Sequence, residues 1–234
     1  MKPRWLVALG VILLFGAARL GAQEAPAPLK DQKDKLSYSL GMEVGKGLKR
    51  QSSDLNPDLL LRGIRDAFSG EKALMTDSEI SETVSAFQKD LMAKQQELAR
   101  KLGEKNKTEG EAFLAENKKK EGVVSLPSGL QYKVIKAGSG KKPKVTDTVT
   151  VQYRGTLIDG TEFDSSYRRG EPVTFPVNAV IPGWTEALKL MAEGAKWQVF
   201  IPSNLAYGER GGGGIGPNAT LIFEIELVSV QEQK

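Results

Sequence analysis

Apolar side chains at Leu36, Leu40, Val44 and Leu48 recur every fourth position, which places them on one face of a helix. Gly41 and Gly45 lie beside that stripe with the same spacing. Glycine costs about 1 kcal/mol against alanine inside a helix, so two of them suggest a place where another backbone comes close. Asn56 followed by Pro57 is a cap and a first-turn proline. They predict a second helix that carries Leu60, Ile64 and Phe68 and stops at Gly70. A third and longest helix opens with Thr76 and Glu79 as a capping box and Met75 with Ile80 as a hydrophobic staple. Its stripe runs through Ile80, Val84, Phe87 and Leu91 to Leu98 and Leu102. Beyond Leu102 the chain is almost wholly polar, with Phe113 and Leu114 a brief exception. A helix that polar is expected to persist as a solvent-exposed spacer held by charge pairs.

At Gly122 the period changes from about four to two. Residues 131–135, 148–153, 196–201 and 221–227 alternate or are rich in β-branched and aromatic side chains. Asp159-Gly160 reads as a tight turn joining residues 155–158 to 161–163. Only residues 184–191 in this half read as a helix, ended by Gly194. The expectation is an α+β chain: an all-helical N-terminal region, a long connecting helix, and a C-terminal antiparallel sheet wrapped around one short helix.

The first 22 residues have a basic start (Lys2, Arg4), an apolar stretch over residues 5–18 and small residues after it, the three-part form of a secretory signal. Fourteen residues span about 21 Å as a helix against a hydrocarbon core of about 30 Å, which favours cleavage over anchoring. The cut is expected after Ala22, with Ala18 as the alternative, and residues 23–30 then form a Pro/Ala-rich tether. Residues 31–121 are expected to form a helical dimerisation domain with its linker helix, and residues 122–234 a second domain. A self-contained helical bundle is the other reading of the first region.

The 234-residue chain carries a formal charge of +4, but Lys2, Arg4 and Arg19 sit in an acid-free leader. Removing them leaves 30 basic residues against 29 acidic ones, so nothing favours a nucleic-acid partner. There is no cysteine and no histidine. That excludes thiolate nucleophiles, disulfides, imidazole bases and zinc sites of the Cys/His kind. Residues 211–216 fit the spacing Gly-x-Gly-x-x-Gly, but they lead into Pro217 and a strand where a dinucleotide site needs a helix. A flexible loop is expected there.

The informative constellation is aromatic. Tyr153, Phe163, Phe175, Trp184, Trp197, Tyr207 and Phe223 come from most of the predicted sheet and its single helix. Packing accounts for several of them. Val180-Ile-Pro-Gly-Trp184 and Ala206-Tyr-Gly208, however, set large rings beside turning backbone, where side chains line a cavity. Its polar tips would be the hydroxyls of Tyr153 and Tyr207 and the carboxylate of Asp164.

Four separated blocks carry a resemblance: residues 151–166 (Val-Gln-Tyr-Arg-Gly-Thr-Leu-Ile-Asp-Gly-Thr-Glu-Phe-Asp-Ser-Ser), 180–188, 205–208 and 217–223. In that order they resemble the FKBP-type peptidyl-prolyl cis-trans isomerases. The helical half, with Leu36-Ser-Tyr-Ser-Leu-Gly41 and residues 110–118, looks like the two-domain bacterial envelope members of the macrophage infectivity potentiator and FkpA-like group. The resemblance implies an FKBP-like fold and catalytic residues Tyr153, Phe163, Asp164, Trp184, Tyr207 and Phe223. It adds Phe175, Val180, Ile181 and Ile215 as substrate-binding residues. In the family the tryptophan floors the pocket, and the tyrosine hydroxyl and the amide after the valine bond substrate carbonyls. Tyr207 and Ile181 would supply those two donors here.

The resemblance further implies isomerisation of X-Pro bonds in exported proteins, a homodimer through residues 31–121, and binding of the family's macrolide inhibitors. No cofactor and no metal are called for. The expected location is the periplasm or cell envelope. The rival reading is a non-enzymatic holdase, in which paired helical regions hold unfolded chains and the C-terminal domain only binds proline motifs.

Overall fold

A computed structural model describes residues 29–51, 54–70 and 72–232 of the 234-residue chain. The proposed signal and nearly all of the tether lie outside the described residues. Two compact units divide between Leu74 and Met75.

The first unit holds α1 (Gln32–Gln51) and α2 (Pro57–Ser69). Asn56 caps α2 by accepting from the N–H groups of Asp58 and Leu59, Pro57 occupies its first turn, and Gly70 ends it at φ +69°. Each feature matches the sequence expectation. Neither helix contains a buried residue. Leu36, Leu40 and Val44 are each more than half exposed, and a Cβ added at Gly41 or Gly45 would meet nothing within 4 Å.

The second unit begins with α3 (Asp77–Asn117), whose 41 residues span about 60 Å. Both halves of the Thr76–Glu79 capping box form, and they hold the Glu79 carboxyl below its ordinary pKa. Along its middle Arg100 bridges Glu97 and Glu104, and Lys101 and Lys105 pair with Glu97 and Glu109.

The sheet that follows comprises β1 (Val123–Ser125), β2 (Gln131–Lys136), β3 (Thr148–Leu157), β4 (Glu162–Ser165), β5 (Val173–Pro176), β6 (Lys196–Ile201) and β7 (Leu221–Gln231). The order is β1-β2-β6-β7-β3-β4, with every pairing antiparallel. β5 shares the outer edge of β3 with β4. Strict alternation along β3 and β7 turns Val149, Val151, Tyr153, Phe223, Ile225 and Leu227 to one buried face. The helix α5 (Pro182–Leu190) lies against that face with Trp184, Ala187 and Leu188 buried. Helix α4 (Ser166–Arg169) is a single turn after β4, capped by Ser165.

The short strands β1 and β5 were not foreseen, being three and four residues long. The helix expected over 184–191 runs Pro182–Leu190, with Gly194 in the following turn at φ +85°.

The expectation of a bare spacer beyond Leu102 is corrected. Gly103, Gly110 and Asn117 are buried, seven residues apart, because this face of α3 docks on the sheet lobe. Phe113 meets Phe200 with ring centroids 5.9 Å apart, covering a β6 side chain that points away from α5. Asn117 Nδ2 donates to Gln131 Oε1 at 3.0 Å, and Gln131 Nε2 donates to the Leu114 carbonyl at 2.9 Å. Glycine makes the close approach possible: a Cβ at Gly110 would lie 2.3 Å from Thr220 Oγ1.

Candidate functional site

Trp184 enters the lobe at the first turn of α5, where Pro182 starts the helix and the Trp184 N–H bonds the Ile181 carbonyl at 2.9 Å. Gly183 lets that turn press onto β6, since a Cβ there would lie 2.5 Å from Ile201 Cγ2. The indole is 4% exposed. Three rings stand nearly perpendicular to it: Tyr153 at 5.1 Å and 88°, Phe223 at 5.2 Å and 87°, and Phe175 at 6.0 Å and 84°. Phe163 meets Phe223 edge to face at 5.5 Å. Such tilted pairs are the arrangement aromatic quadrupoles favour, and they keep the rings from collapsing into a stack. Gly155 is required between them, because a Cβ would lie 2.7 Å from atoms of both Phe163 and Phe223.

These rings surround a hollow of about 450 Å³ lined by Tyr153, Phe163, Asp164, Phe175, Val180, Ile181, Trp184, Tyr207 and Phe223. Nine of the ten residues expected to form the site are thus brought together. The tenth, Ile215, is buried in the adjoining core and is not among the lining residues. Ala179 lines the hollow and carries no chemical signal by which a sequence could announce it. Phe175 faces the hollow from β5, whereas Trp197 stacks on Tyr132 at 4.2 Å as a packing residue.

The polar rim is a closed set of hydrogen bonds. Tyr153 Oη donates to Asp164 Oδ2 at 2.5 Å, Arg169 Nη1 donates to Asp164 Oδ1 at 2.5 Å, and Arg169 Nη2 donates to Tyr153 Oη at 2.6 Å. The Ser165 N–H adds a fourth bond to Asp164 Oδ1. Partial burial alone would raise the Asp164 pKa. The donors Tyr153 and Arg169, with the charge of Arg169, outweigh it and hold the carboxyl below its ordinary 3.8. Burial, followed by the bond to Asp164, pushes the Tyr153 hydroxyl above its ordinary 10.0. Arg169, held above its usual pKa chiefly by Asp164, was missed from sequence: it ends a one-turn helix five residues after the carboxylate it meets.

Tyr207 stands apart from this network. It is 42% exposed, on a loop between two short 3-10 turns, and is followed by Gly208 at φ +60°. The Ile181 N–H is given to no protein acceptor among the described residues. With a carboxylate that stays charged and a phenol that stays neutral across the physiological range, the hollow offers apolar surface and hydrogen-bond donors. It offers no group poised to exchange a proton near neutrality.

The comparisons with known proteins agree with this architecture. Residues 33–134 match the family model described as the domain amino terminal to FKBP-type peptidyl-prolyl isomerase, and residues 139–228 match the FKBP-type peptidyl-prolyl cis-trans isomerase itself. The chain is 53% identical to the outer membrane protein MIP of Legionella longbeachae, covering 97% of each. It is 44% identical to the peptidyl-prolyl cis-trans isomerase Mip of Coxiella burnetii over the full length of both. The crystal structure of FkpA from Escherichia coli is similar at 40% identity and a TM-score of 0.67, with 87% of this chain and 99% of that one covered. No helix among the described residues is long and apolar enough to cross a membrane. Two helical and sheet regions in the right order, relatives matched from end to end and an FkpA-like structure place this chain in the FKBP-type peptidyl-prolyl cis-trans isomerases, in their two-domain Mip/FkpA form.

Proposed function

We propose that the aromatic hollow is where this isomerase turns X-Pro bonds, with Trp184 as the floor beneath the proline ring and Tyr153, Phe163, Phe175, Val180 and Phe223 as walls. The Tyr207 hydroxyl and the Ile181 N–H bond the carbonyls flanking the proline. Asp164, held by Tyr153 and Arg169, orients the rim and transfers no proton.

The chemistry follows from amide resonance. Rotation about an X-Pro bond faces a barrier of about 18–20 kcal/mol because the C–N bond has partial double-bond character. In the twisted transition state conjugation is lost and the amide's charge separation shrinks. A dry, ring-lined cavity penalises the polar planar forms more than the twisted one, and a shape that fits the twisted conformer adds differential binding. Each 1.36 kcal/mol gained in this way is worth about tenfold in rate. The observation that carries the reading is the perpendicular set of rings around Trp184, which keeps the hollow open and apolar.

The helical region, residues 31–121, serves as the dimerisation domain, and residues 122–234 form the isomerase domain with the last turns of α3 docked on it. Support comes from the uncovered stripe of α1 and the open Gly41 and Gly45. A pair of such regions also holds unfolded clients, exported proteins that carry X-Pro bonds, in the periplasm or cell envelope after cleavage of residues 1–22. The similarity to the outer membrane protein MIP and to FkpA supports an envelope location.

Proline isomerisation by the full-length protein, with and without a macrolide inhibitor of the family, tests the assignment. Abolished isomerisation with retained suppression of aggregation assigns turnover to the hollow and holding to the helices. Isomerisation untouched by a macrolide that binds would remove the hollow from the mechanism.

A further inference from the structure

Between Tyr207 and Thr220 six residues are glycine, and Gly208, Gly211, Gly213 and Gly214 have positive φ. Asn218 is also left-handed at φ +54°. Such a segment loses more conformational entropy on ordering than any ordinary loop, so something must hold it. Its internal ties are few. Gly212 and Ile215 exchange two bonds of 2.9 Å, and the Gly208 carbonyl accepts from the Asn218 N–H at 2.9 Å and the Gly211 N–H at 3.4 Å.

Its remaining side-chain hydrogen bonds are with α3. Asn106 Nδ2 donates to the Pro217 carbonyl at 2.7 Å, and Asn218 Nδ2 reaches the Gly103 carbonyl at 3.4 Å. The two segments pack closely at their glycines: a Cβ at Gly103 would lie 3.1 Å from Pro217 Cβ, and one at Gly216 would lie 3.1 Å from both Leu102 Cδ2 and Asn106 Nδ2. A continuous path therefore runs from Asn106 to Pro217, through Asn218 to Gly208, whose neighbour in the chain is Tyr207. Ile215 anchors the middle of the loop in the core, and among the described residues no other side-chain hydrogen bond holds its far end.

We infer that residues 102–110 of α3 are a platform that fixes Tyr207 over the hollow, with Asn106 as its positioning residue. The helix thereby serves the reaction directly, apart from any part it takes in joining two chains. This rests on the reading of Tyr207 as a donor to the substrate.

The test is a double-mutant cycle on the full chain with a short X-Pro peptide. Asn106→Leu raises the helix propensity, so it does not weaken α3 itself, and it removes the donor to Pro217. It is expected to lower kcat/KM about three- to tenfold, the size of one hydrogen bond's worth of positioning. Hydrogen exchange of the amides in residues 208–216 should accelerate alongside. In a Tyr207→Phe background the same change should move kcat/KM less than twofold, because the group being positioned is gone. A change that merely weakens the fold would act equally in both backgrounds. Equal losses in the two backgrounds, or unchanged activity and exchange in Asn106→Leu, overturn the inference. If Tyr207→Phe alone leaves turnover at the wild-type level, it is the assignment of Tyr207 that fails. The exchange rates then report independently whether α3 pins the loop.

Discussion

The Tyr153 hydroxyl donates to Asp164 Oδ2 at 2.5 Å, and the pair is closed by Arg169, which bonds both. Three side chains from β3, β4 and the end of α4 therefore lock one another at the rim. Removing Asp164 takes away the acceptor that the Tyr153 hydroxyl and Arg169 Nη1 share, and leaves only the bond from Arg169 Nη2 to Tyr153 Oη. Asp164→Ala is expected to lower kcat/KM roughly tenfold, and adding Tyr153→Phe should cost little more, because both changes break the same network. Steady-state rates on one X-Pro peptide for the two single variants and the double variant check this.

The account implies a flat pH profile. Asp164 has a folded pKa below 3.8, so its contribution to stability is complete above that value and fades as pH falls through the lower one. Tyr153 has a folded pKa above 10.0, so its neutral-form contribution is complete below 10.0 and is lost as pH rises past the higher value. With no histidine in the chain, kcat/KM should be constant within about twofold from pH 5 to 9, and the solvent deuterium effect should be near unity. A bell-shaped profile centred near neutrality would mean a proton-transferring group has been overlooked.

Docking of α3 predicts where the chain can be cut. A fragment starting at residue 99 keeps the Phe113–Phe200 contact and the Asn117–Gln131 bond, and one starting at residue 122 loses both. The shorter fragment should melt at least about 5 °C lower, since uncovering a buried aromatic and a buried amide costs more than 1 kcal/mol. Thermal unfolding followed by circular dichroism compares the two. Equal midpoints would show that the docked turns contribute nothing.

The uncovered stripe of α1 makes its own prediction. The full-length chain should sediment as a dimer, and Gly41→Leu with Gly45→Leu should shift it towards monomer by filling the approach those glycines leave open. Turnover of a short peptide should stay within about twofold, as neither position touches the hollow. A variant that remains fully dimeric would move the interface elsewhere.

Much of this could be read from the chain because its signals are local. The Thr76 capping box, the Asn56-Pro57 start and the Asp159-Gly160 turn each specify backbone within a few residues, and each formed. Period-two alternation likewise marked β3 and β7. The losses came where the deciding contact is distant in sequence. Gly103 and Gly110 look like helix weaknesses until Pro217 and Thr220 are brought against them. Phe113 looked like a stray apolar residue because its partner, Phe200, lies 87 positions later and on the sheet face that alternation assigns to solvent. Arg169 failed to stand out because a surface arginine is ordinary, and only its reach back to Asp164 makes it part of the rim. Ile215 sits in a glycine run whose course no local rule fixes, and it went to the core beside the hollow.

The most direct test of the central claim is the rate of X-Pro isomerisation by full-length Trp184→Leu in a protease-coupled assay, alongside its circular dichroism spectrum and its suppression of aggregation. If the hollow works by fitting the twisted amide, kcat/KM should fall at least about tenfold while the spectrum and the holding activity persist. A folded variant that turns over the peptide at the wild-type rate would contradict the account.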